Sequence, residues 1–331
     1  MKAIVALDGQ IQLADVPVPQ LDDRSVLVQT EYSAISPGTE LMMQDVNRHK
    51  EVALGYSASG IVKQVGKEVT HLQVGQRVAC YGAPYVKHAE MLTVPRHLAV
   101  PVPDHVTLVE ASTVGLGAIA IHALRQASLQ FGESVVVVGL GILGQIIAQI
   151  AAAAGLNVIA LDIVEERCAA AEKIGLQHIC QSPEEVQAKL ETSLTEQGAD
   201  CVILAGGKGG ELVDQGLQWI RDRGKVVVVG DLQMEFSREL MFAKEAQLLI
   251  SRAGGPGRYD ATYESGGIDY PIGYVRWTEG KNMAEFIRLM AEGLIHISPL
   301  ISKVMPLAEA EQAYHVFRDN PRDTLGIVLQ Y

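Results

Sequence analysis

The amino-acid sequence predicts an α/β fold class: a β-rich domain followed by a domain built on a doubly wound parallel sheet. Two observations lead to this prediction. Residues 1 to about 110 contain short apolar runs separated by Gly, Pro and Asp turns, a pattern typical of a mostly antiparallel sheet or barrel. From Thr107 onward, strand-like and helix-like segments alternate, which indicates a parallel sheet with helices on both faces.

The same patterns predict the individual elements in order. In the first domain we expect strands at Lys2–Ala6, Val26–Tyr32, Gly60–Val65, Arg77–Tyr81 and Met91–Val94. In the second domain we expect strands at Ser134–Val138, Asn157–Leu161, Cys201–Leu204, Lys225–Val229 and Gln247–Ile250. Helices are expected at Ala111–Leu129, Gly144–Ala154, Glu165–Ile174, Pro183–Glu196, Glu211–Ile220, Ser237–Lys244 and Asn282–Glu292. The apolar run Gly326–Leu329 predicts a last strand that returns to the first domain.

Composition excludes several classes of function. The net charge of -12, with no Lys/Arg cluster, disfavours nucleic acid as a partner. No apolar stretch reaches membrane-spanning length, so we expect no membrane partner, and the N-terminus lacks a signal core. The four cysteines form no C-x-x-C pair, which fits buried free thiols in a reducing cytoplasm. We therefore expect a cytoplasmic protein whose partner is a small-molecule substrate.

A glycine-rich turn is the strongest functional signal. The apolar run Val135–Val138 leads directly into the G-x-G-x-x-G sequence Gly139–Gly144, and a helix-forming stretch follows. The first glycine permits a tight turn, the second lets the backbone approach a pyrophosphate, and the third lets the helix pack against the sheet. An acid at the end of the next strand can accept hydrogen bonds from a ribose. The predicted dinucleotide-binding residues are Gly139, Gly141, Ile142, Leu143, Gly144 and Asp162. The alternative is a glycine-rich turn without a ligand.

The charges near the second strand bear on which dinucleotide binds. Asp162, Glu165 and Glu166 would place negative charge next to a 2′-phosphate, so NAD is favoured over NADP. Arg167 weakens this preference because it could reach the adenosine or a phosphate. Residues that follow the later strands are candidate contacts to the nicotinamide part of the cofactor: Gly206, Gly230, Asp231, Ser251 and Arg252. The alternative is that they form ordinary turns between strands and helices.

An aromatic segment at residues 253–277 is a candidate substrate contact. Its glycines and prolines predict a long loop, and loops of this length usually have a function. Tyr and Trp combine an apolar face with a polar edge, which suits sugars and other hydroxylated rings. The candidate substrate-binding residues are Arg258, Tyr259, Tyr263 and Tyr274. A dimer interface is an equally weighted alternative for this segment.

Across essentially its whole length the chain resembles the medium-chain dehydrogenase/reductase superfamily. The matching stretches are Gly55–Gly66, Val74–Tyr81, the GLGILG turn, Lys225–Gly230 and Pro299–Ala313. The resemblance implies a GroES-like catalytic domain at 1–115 and 296–331, a Rossmann dinucleotide-binding domain at 116–295, hydride transfer with NAD or NADP, and a homodimer. Two further segments, Ser36–Glu40 and Ser251–Trp277, resemble a subgroup sometimes fused to a sugar-oxidoreductase-type domain.

The chain departs from the zinc-containing members of this superfamily. Those members carry a cysteine where this chain has Pro37, and Gly-His-Glu where it has Gly55-Tyr56-Ser57. Proline is not a zinc ligand, and neither tyrosine nor serine is an ordinary one. The four-cysteine structural lobe is also missing, since only Cys80 lies in that region. We therefore predict no metal site.

Without zinc, hydrogen-bond donors must polarise the substrate oxygen. The resemblance places Tyr56 at the position of the zinc-binding histidine and Thr39 at a proton-relay position, while Glu40 could orient a neighbour or accept a proton. A purely structural role for Tyr56 remains open. The sequence thus predicts an oxidoreductase acting on a sugar derivative, cyclitol or similar alcohol or ketone. The alternatives are a quinone or enone reductase, and a nucleotide-binding sensor without catalysis.

Overall fold

The computed structural model describes residues 1–46, 50–192, 197–207 and 209–331. The chain divides into two compact units. Unit 1 contains Met1–Ala118, Gly254–Glu292 and Ile301–Tyr331, and unit 2 contains Ile119–Ala253 and Gly293–Leu300. The predicted domain boundaries differ from this division, because they assign residues 254–292 to the second domain. Those residues belong to unit 1 since they contact its N-terminal part: Arg258, for example, donates to the carbonyl of Ala83, which follows β6.

The N-terminal part of unit 1 is β-rich. Its elements are β1 (Lys2–Leu7), β2 (Gln10–Asp15), β3 (Ser25–Ala34), α1 (Pro37–Val46), β4 (Val52–Ala53), β5 (Ser57–Val65), β6 (Arg77–Tyr81), β7 (Met91–Pro95), β8 (Ala99–Pro101), α2 (Leu108–Ala111) and α3 (Val114–Ala127). The five strands predicted here are all present, and the strands of this part pair in antiparallel fashion.

Unit 2 alternates strands and helices. Its elements after α3 are β9 (Ser134–Val138), α4 (Ile142–Ala153), β10 (Asn157–Leu161), α5 (Glu165–Lys173), β11 (Ile179–Cys180), α6 (Pro183–Thr192), β12 (Ala199–Leu204), α7 (Glu211–Trp219), β13 (Ile220–Val228), α8 (Arg238–Lys244) and β14 (Gln247–Ile250). The sheet has the order β11-β10-β9-β12-β13-β14, and every pairing is parallel. Strand order reverses between β9 and β12, which is where ligands bind in open parallel sheets.

The last elements complete unit 1. They are α9 (Glu279–Ala291), β15 (Ile301–Pro306), α10 (Ala310–Asp319) and β16 (Gly326–Gln330). The main sheet has the order β15-β16-β3-β5-β6-β8, with β7 also paired to β3, and a second sheet has the order β2-β1-β4. Because β16 pairs antiparallel with β3, the predicted return of the last strand to the first domain is confirmed.

Burial explains why the central elements of unit 2 form where the sequence predicts them. Strand β9 is buried along its whole length, as expected for a central strand covered on both faces. Helix α4 is apolar on most of its surface, and most of its residues are buried. Each fully buried Val, Ile or Leu side chain contributes about 1.5–3 kcal/mol, so this layer fixes the position of the glycine turn between β9 and α4.

Three helices differ from their predicted extents by more than two residues. The helix expected at Ala111–Leu129 is split into α2 and α3, because the hydroxyls of Ser112 and Thr113 bond back to the carbonyls of Val109 and Glu110 and end α2. Helix α9 begins at Glu279, earlier than its predicted start at Asn282. The helix expected to end at Glu196 is observed to Thr192, and residues 193–196 lie outside the described part of the chain. Within the described ranges, no helix has the length and apolar character needed to cross a bilayer.

Candidate functional site

Two glycines of the turn in unit 2 are required by packing. Gly139 has a φ of +91°, and a Cβ placed there would lie 2.8 Å from the Cα of Gly206. A Cβ on Gly144 would lie only 1.7 Å from the carbonyl oxygen of Gly139. Any side chain at either position would therefore displace the backbone where β9, α4 and the end of β12 meet.

Gly141 is different, because the fold itself does not require glycine at this position. Its φ of -65° is open to any residue, and a Cβ placed there would meet nothing within 4 Å. Gly141 is the N-cap of α4, so Ile142 and Leu143 belong to the first turn, whose N–H groups have no partner within the helix. A bare α-carbon beside free N–H groups and the positive end of a helix dipole fits close approach of a pyrophosphate.

Asp162, directly after β10, is buried and braces this turn. Its Oδ2 accepts a hydrogen bond from the Leu140 N–H at 2.7 Å, and its Oδ1 accepts one from the Val164 N–H at 2.9 Å. The guanidinium of Arg167 lies 3.4 Å from the same Oδ2. A carboxylate has about four acceptor positions, so acceptor capacity for ribose hydroxyls remains. The bracing role was missed from the sequence, which showed only the spacing of the acid from the turn.

The other predicted cofactor residues lie at the carboxyl ends of parallel strands. A Cβ on Gly230, after β13, would lie 3.5 Å from the backbone N of Gly206, and Gly206 in turn borders Gly139. The three glycines therefore sit side by side on one edge of the sheet. Ser251, after β14, is buried, and its Oγ has no hydrogen-bond partner. Asp231 and Arg252 are exposed beside these ends.

The candidate catalytic residues form a hydrogen-bonded group in unit 1. The hydroxyl of Tyr56 donates to Ser36 Oγ at 2.6 Å, and the side chain of Thr39 is near enough to lower its pKa. Burial raises the pKa of Tyr56 well above its usual value, although the bond to Ser36 opposes this shift. Tyr56 therefore keeps its proton at neutral pH and can act as a hydrogen-bond donor.

Glu40 is fully buried, and both of its carboxylate oxygens are engaged. Oε1 accepts from the Ser36 N–H at 2.8 Å, while Oε2 lies 2.9 Å from His88 Nε2 and also accepts from the Tyr314 hydroxyl. The other ring nitrogen of His88 bonds to Ser33 Oγ at 2.7 Å. Glu40 thus holds the backbone of Ser36, whose side chain accepts from the Tyr56 hydroxyl, and this geometry fits a positioning group. Sequence reasoning missed Ser36 and His88, because neither stands in a recognisable motif.

Part of the aromatic segment comes close to Tyr56. The Arg258 guanidinium lies 4.0 Å from the Tyr259 ring centroid and 5.9 Å from that of Tyr81. The Tyr81 ring in turn meets the Tyr56 ring edge-on, with centroids 5.8 Å apart. We call Tyr56, Tyr81, Arg258 and Tyr259 the Tyr56 cluster. It joins one candidate catalytic residue to two candidate substrate residues, and Tyr81 is a member that the sequence did not single out.

Two other candidate substrate residues lie outside this cluster. Tyr263 is buried, donates to Thr278 Oγ1 at 2.9 Å and packs between His97 and Tyr270. Its side chain is used in packing in this structure, and its contact with substrate stays a prediction. Tyr274 is 91% exposed and is not among the cluster's contacts.

The residues at the zinc positions of the superfamily do not fit a zinc ion. Pro37 has no donor atom on its side chain, and the Tyr56 hydroxyl is bound to Ser36. Ser57 Oγ donates to the Ser112 carbonyl at 2.5 Å and accepts from the Gly115 N–H at 2.8 Å. Elsewhere in the described ranges no three His, Cys, Asp or Glu side chains come together as a metal site would require.

Comparisons with known proteins agree with this architecture. A family described as "Alcohol dehydrogenase GroES-like domain" matches residues 22–127, and one described as "Zinc-binding dehydrogenase" matches residues 143–265. The chain is 26% identical to a D-arabitol-phosphate dehydrogenase of Enterococcus avium and 27% identical to D-xylulose reductase A of Aspergillus oryzae, in each case over 92% of this chain and 90% of the relative. It superposes with a TM-score of 0.82 and 17% identity on a short chain alcohol dehydrogenase of Escherichia coli complexed with NADH, covering 100% of this chain and 99% of that one. These matches confirm the predicted fold class, a GroES-like domain with a Rossmann-type parallel-sheet domain.

Proposed function

Because this chain belongs to the medium-chain dehydrogenase/reductase superfamily and is an oxidoreductase, we propose that it transfers hydride between NAD and a small hydroxylated substrate without catalytic zinc. The open α-carbon of Gly141 carries the proposal, since the fold tolerates a side chain there and a bound pyrophosphate would not. The substrate is a sugar derivative, a cyclitol or another secondary alcohol or ketone. Both curated relatives described above are named for sugar or polyol substrates.

The residues of unit 2 suit a nicotinamide dinucleotide. Gly141, Ile142 and Leu143 would hold the pyrophosphate, and Asp162 would accept hydrogen bonds from the adenosine ribose. Gly206, Gly230 and Ser251 would lie along the rest of the cofactor. The nicotinamide, when bound, supplies or accepts the hydride. NAD is favoured over NADP because Asp162 is buried and exposed Glu165 and Glu166 follow it, so a 2′-phosphate would meet negative charge.

In place of a metal, the hydroxyl of Tyr56 would polarise the substrate oxygen. Burial raises its pKa and keeps it protonated. When substrate binds, the O–H would turn from Ser36 Oγ to the ketone oxygen and stabilise charge that develops there, while the Ser36 hydroxyl would donate to Tyr56 instead. Thr39 is exposed and its side chain acts on the pKa of Tyr56, which suits it to pass the proton between Tyr56 and water. Glu40 fixes Ser36 and thereby the direction of the Tyr56 hydroxyl.

We also propose a cytoplasmic homodimer. Strand β14 is an edge of the parallel sheet, and its last residue Ile250 is 55% exposed. The preceding helix α8 has no buried residue and presents Phe242 at 76% exposure. An apolar edge of this kind favours pairing with a second chain. The four free and buried cysteines suit a reducing compartment.

Calorimetry and a turnover assay test the proposal together. Calorimetry with NAD, NADH and NADP should show binding, tighter for NAD than for NADP. NADH oxidation should then be followed with D-xylulose and other ketoses, NAD reduction with sorbitol and myo-inositol, and NADH oxidation with enones, each with and without a metal chelator. Turnover of the hydroxylated or keto compounds that survives the chelator supports the proposal. Turnover of enones alone would assign the alternative reductase activity, and tight NADH binding without any turnover would assign a sensor.

A further inference from the structure

Glu279 is a buried carboxyl group that the proposed chemistry leaves unexplained. It is the first residue of α9, its side chain is 0% exposed, and neither Oε1 nor Oε2 has a hydrogen-bond partner. Burying a carboxyl group without partners is costly, and native structures contain few such groups. An unpaired buried carboxyl group therefore indicates a role other than stabilising the fold.

The nearest positive charge is already matched by another acid. Arg258 influences Glu279, but its guanidinium hydrogen-bonds Glu264 through Nη1 and the Ala83 carbonyl through Nη2, the latter at 2.5 Å. Glu264 therefore balances Arg258, and Glu279 is left as a second carboxyl. Burial raises the pKa of Glu279 to about 8, so the neutral acid predominates at pH 7.

The position of Glu279 connects it to the Tyr56 cluster. A Cβ placed on Gly254 would lie 2.7 Å from Cε1 of Tyr81 and 3.2 Å from Cβ of Glu279, so both side chains approach the same bare α-carbon. Tyr81 is also the residue whose ring meets Tyr56. Tyr259 is the solvent-exposed member of the cluster: it is 57% exposed, it lies against the Arg258 guanidinium, and its φ of +67° is a strained value for a bulky residue.

We propose that Glu279 is a substrate-binding residue that hydrogen-bonds a hydroxyl or keto oxygen of an uncharged polyol or ketose, reached when Tyr259 moves aside. The proposal rests on the proposed function and names its substrate class. A neutral carboxyl can both donate and accept, as a sugar hydroxyl does, and binding would supply the partners that Glu279 lacks in the free protein. A phosphorylated substrate would instead add negative charge beside two acids and a single, already paired guanidinium.

The experiment uses the NAD-loaded full chain with three probes: D-xylulose, sorbitol and myo-inositol. Glu279→Leu keeps the volume and removes the polar group, and Glu279→Gln keeps hydrogen bonding. The control is Glu292→Gln, because Glu292 caps the other end of α9 and pairs with Arg288 at the surface. Infrared difference spectra at pH 7 should show a protonated carboxyl band that is lost in Glu279→Gln and shifts when a probe binds.

Glu279→Leu should bind the preferred probe about 5- to 10-fold more weakly, as expected for one lost hydrogen bond, with NAD affinity and fold stability retained. The phosphate ester of that probe should bind more weakly than the probe itself to the wild-type protein. Unchanged affinity in Glu279→Leu, an equal loss in the control, a carboxyl band that no probe shifts, or preference for the phosphate ester would each overturn the proposal. Failure to bind NAD would instead count against the proposed function. The two proposals can be told apart because the carboxyl band tests Glu279 without requiring turnover.

Discussion

Replacing Gly141 with alanine should weaken dinucleotide binding and leave the fold as stable as before. The added Cβ meets nothing within 4 Å, and the φ of -65° is compatible with alanine. Loss of glycine flexibility in the unfolded chain stabilises by about 0.4–1 kcal/mol, whereas alanine is a poorer N-cap than glycine by a similar amount. The two effects oppose each other, so the melting temperature should barely move.

The effect on binding should be much larger. A methyl group on this α-carbon would keep the pyrophosphate from the N–H groups at the start of α4. Loss of one hydrogen bond to a charged group costs about 1.5–3 kcal/mol, which corresponds to roughly 10- to 150-fold in affinity for NAD. No other glycine in the turn allows this separation, because a Cβ on Gly144 would collide with the Gly139 carbonyl oxygen at 1.7 Å.

Calorimetric titration with NAD and a thermal melt, run on the same preparations, measure the two effects. Gly273→Ala is the matched control, since a Cβ there also meets nothing within 4 Å and no positive φ is involved. It should leave NAD affinity unchanged and raise the melting temperature slightly, because no N-cap penalty opposes the loss of glycine flexibility there. Gly144→Ala should lower the melting temperature. Wild-type NAD affinity in a folded Gly141→Ala protein would refute the assignment of the pyrophosphate to this turn.

Three further predictions concern Tyr56, Asp162 and zinc. Tyr56→Phe should lower turnover and leave NAD affinity intact, because only the hydroxyl that polarises the substrate is removed; steady-state rates with calorimetry check this, and unchanged turnover would make Tyr56 structural. Asp162→Ala should weaken NAD binding more than NADP binding, and equal loss for both dinucleotides would exclude the ribose role. The same substitution should lower the melting temperature, because the N–H groups of Leu140 and Val164 lose their acceptor at a cost of about 1–3 kcal/mol each. Elemental analysis of the purified protein should give under about 0.2 zinc per chain, well below a four-ligand site at full occupancy; a full equivalent that supports activity would contradict the metal-free chemistry.

The elements of unit 2 could be predicted closely from the sequence because the apolar runs and the turn residues that bound them indicate the same element ends. Strands β9, β10 and β14 have the bounds that the sequence predicts. Each is a short run of mainly apolar residues, and turn residues or an acid mark the ends of several of them. The glycine turn could be predicted equally well, since its G-x-G-x-x-G spacing is local, although Gly139 is also constrained by Gly206 at the end of β12.

The site in unit 1 depends on contacts between residues far apart in the chain. Arg258 reaches the Ala83 carbonyl 175 positions away, and Tyr314 reaches Glu40 across 274 positions. No local pattern encodes such pairings. Glu279 was missed for a related reason, because an acid at the start of a helix is normally a solvated residue that favours the helix dipole. Its complete burial becomes visible only once the aromatic segment is folded over it.

The three-part composition of unit 1 has a consequence for biosynthesis. Residues 119–253 and 293–300 make up unit 2, so every residue of its parallel sheet has been synthesised before the ribosome adds β15 and β16. The strand that pairs with β3 on its β16 side is translated only after the whole of unit 2. Domains commonly fold as they emerge, and unit 2 can therefore fold on the ribosome while unit 1 waits for residues 301–331.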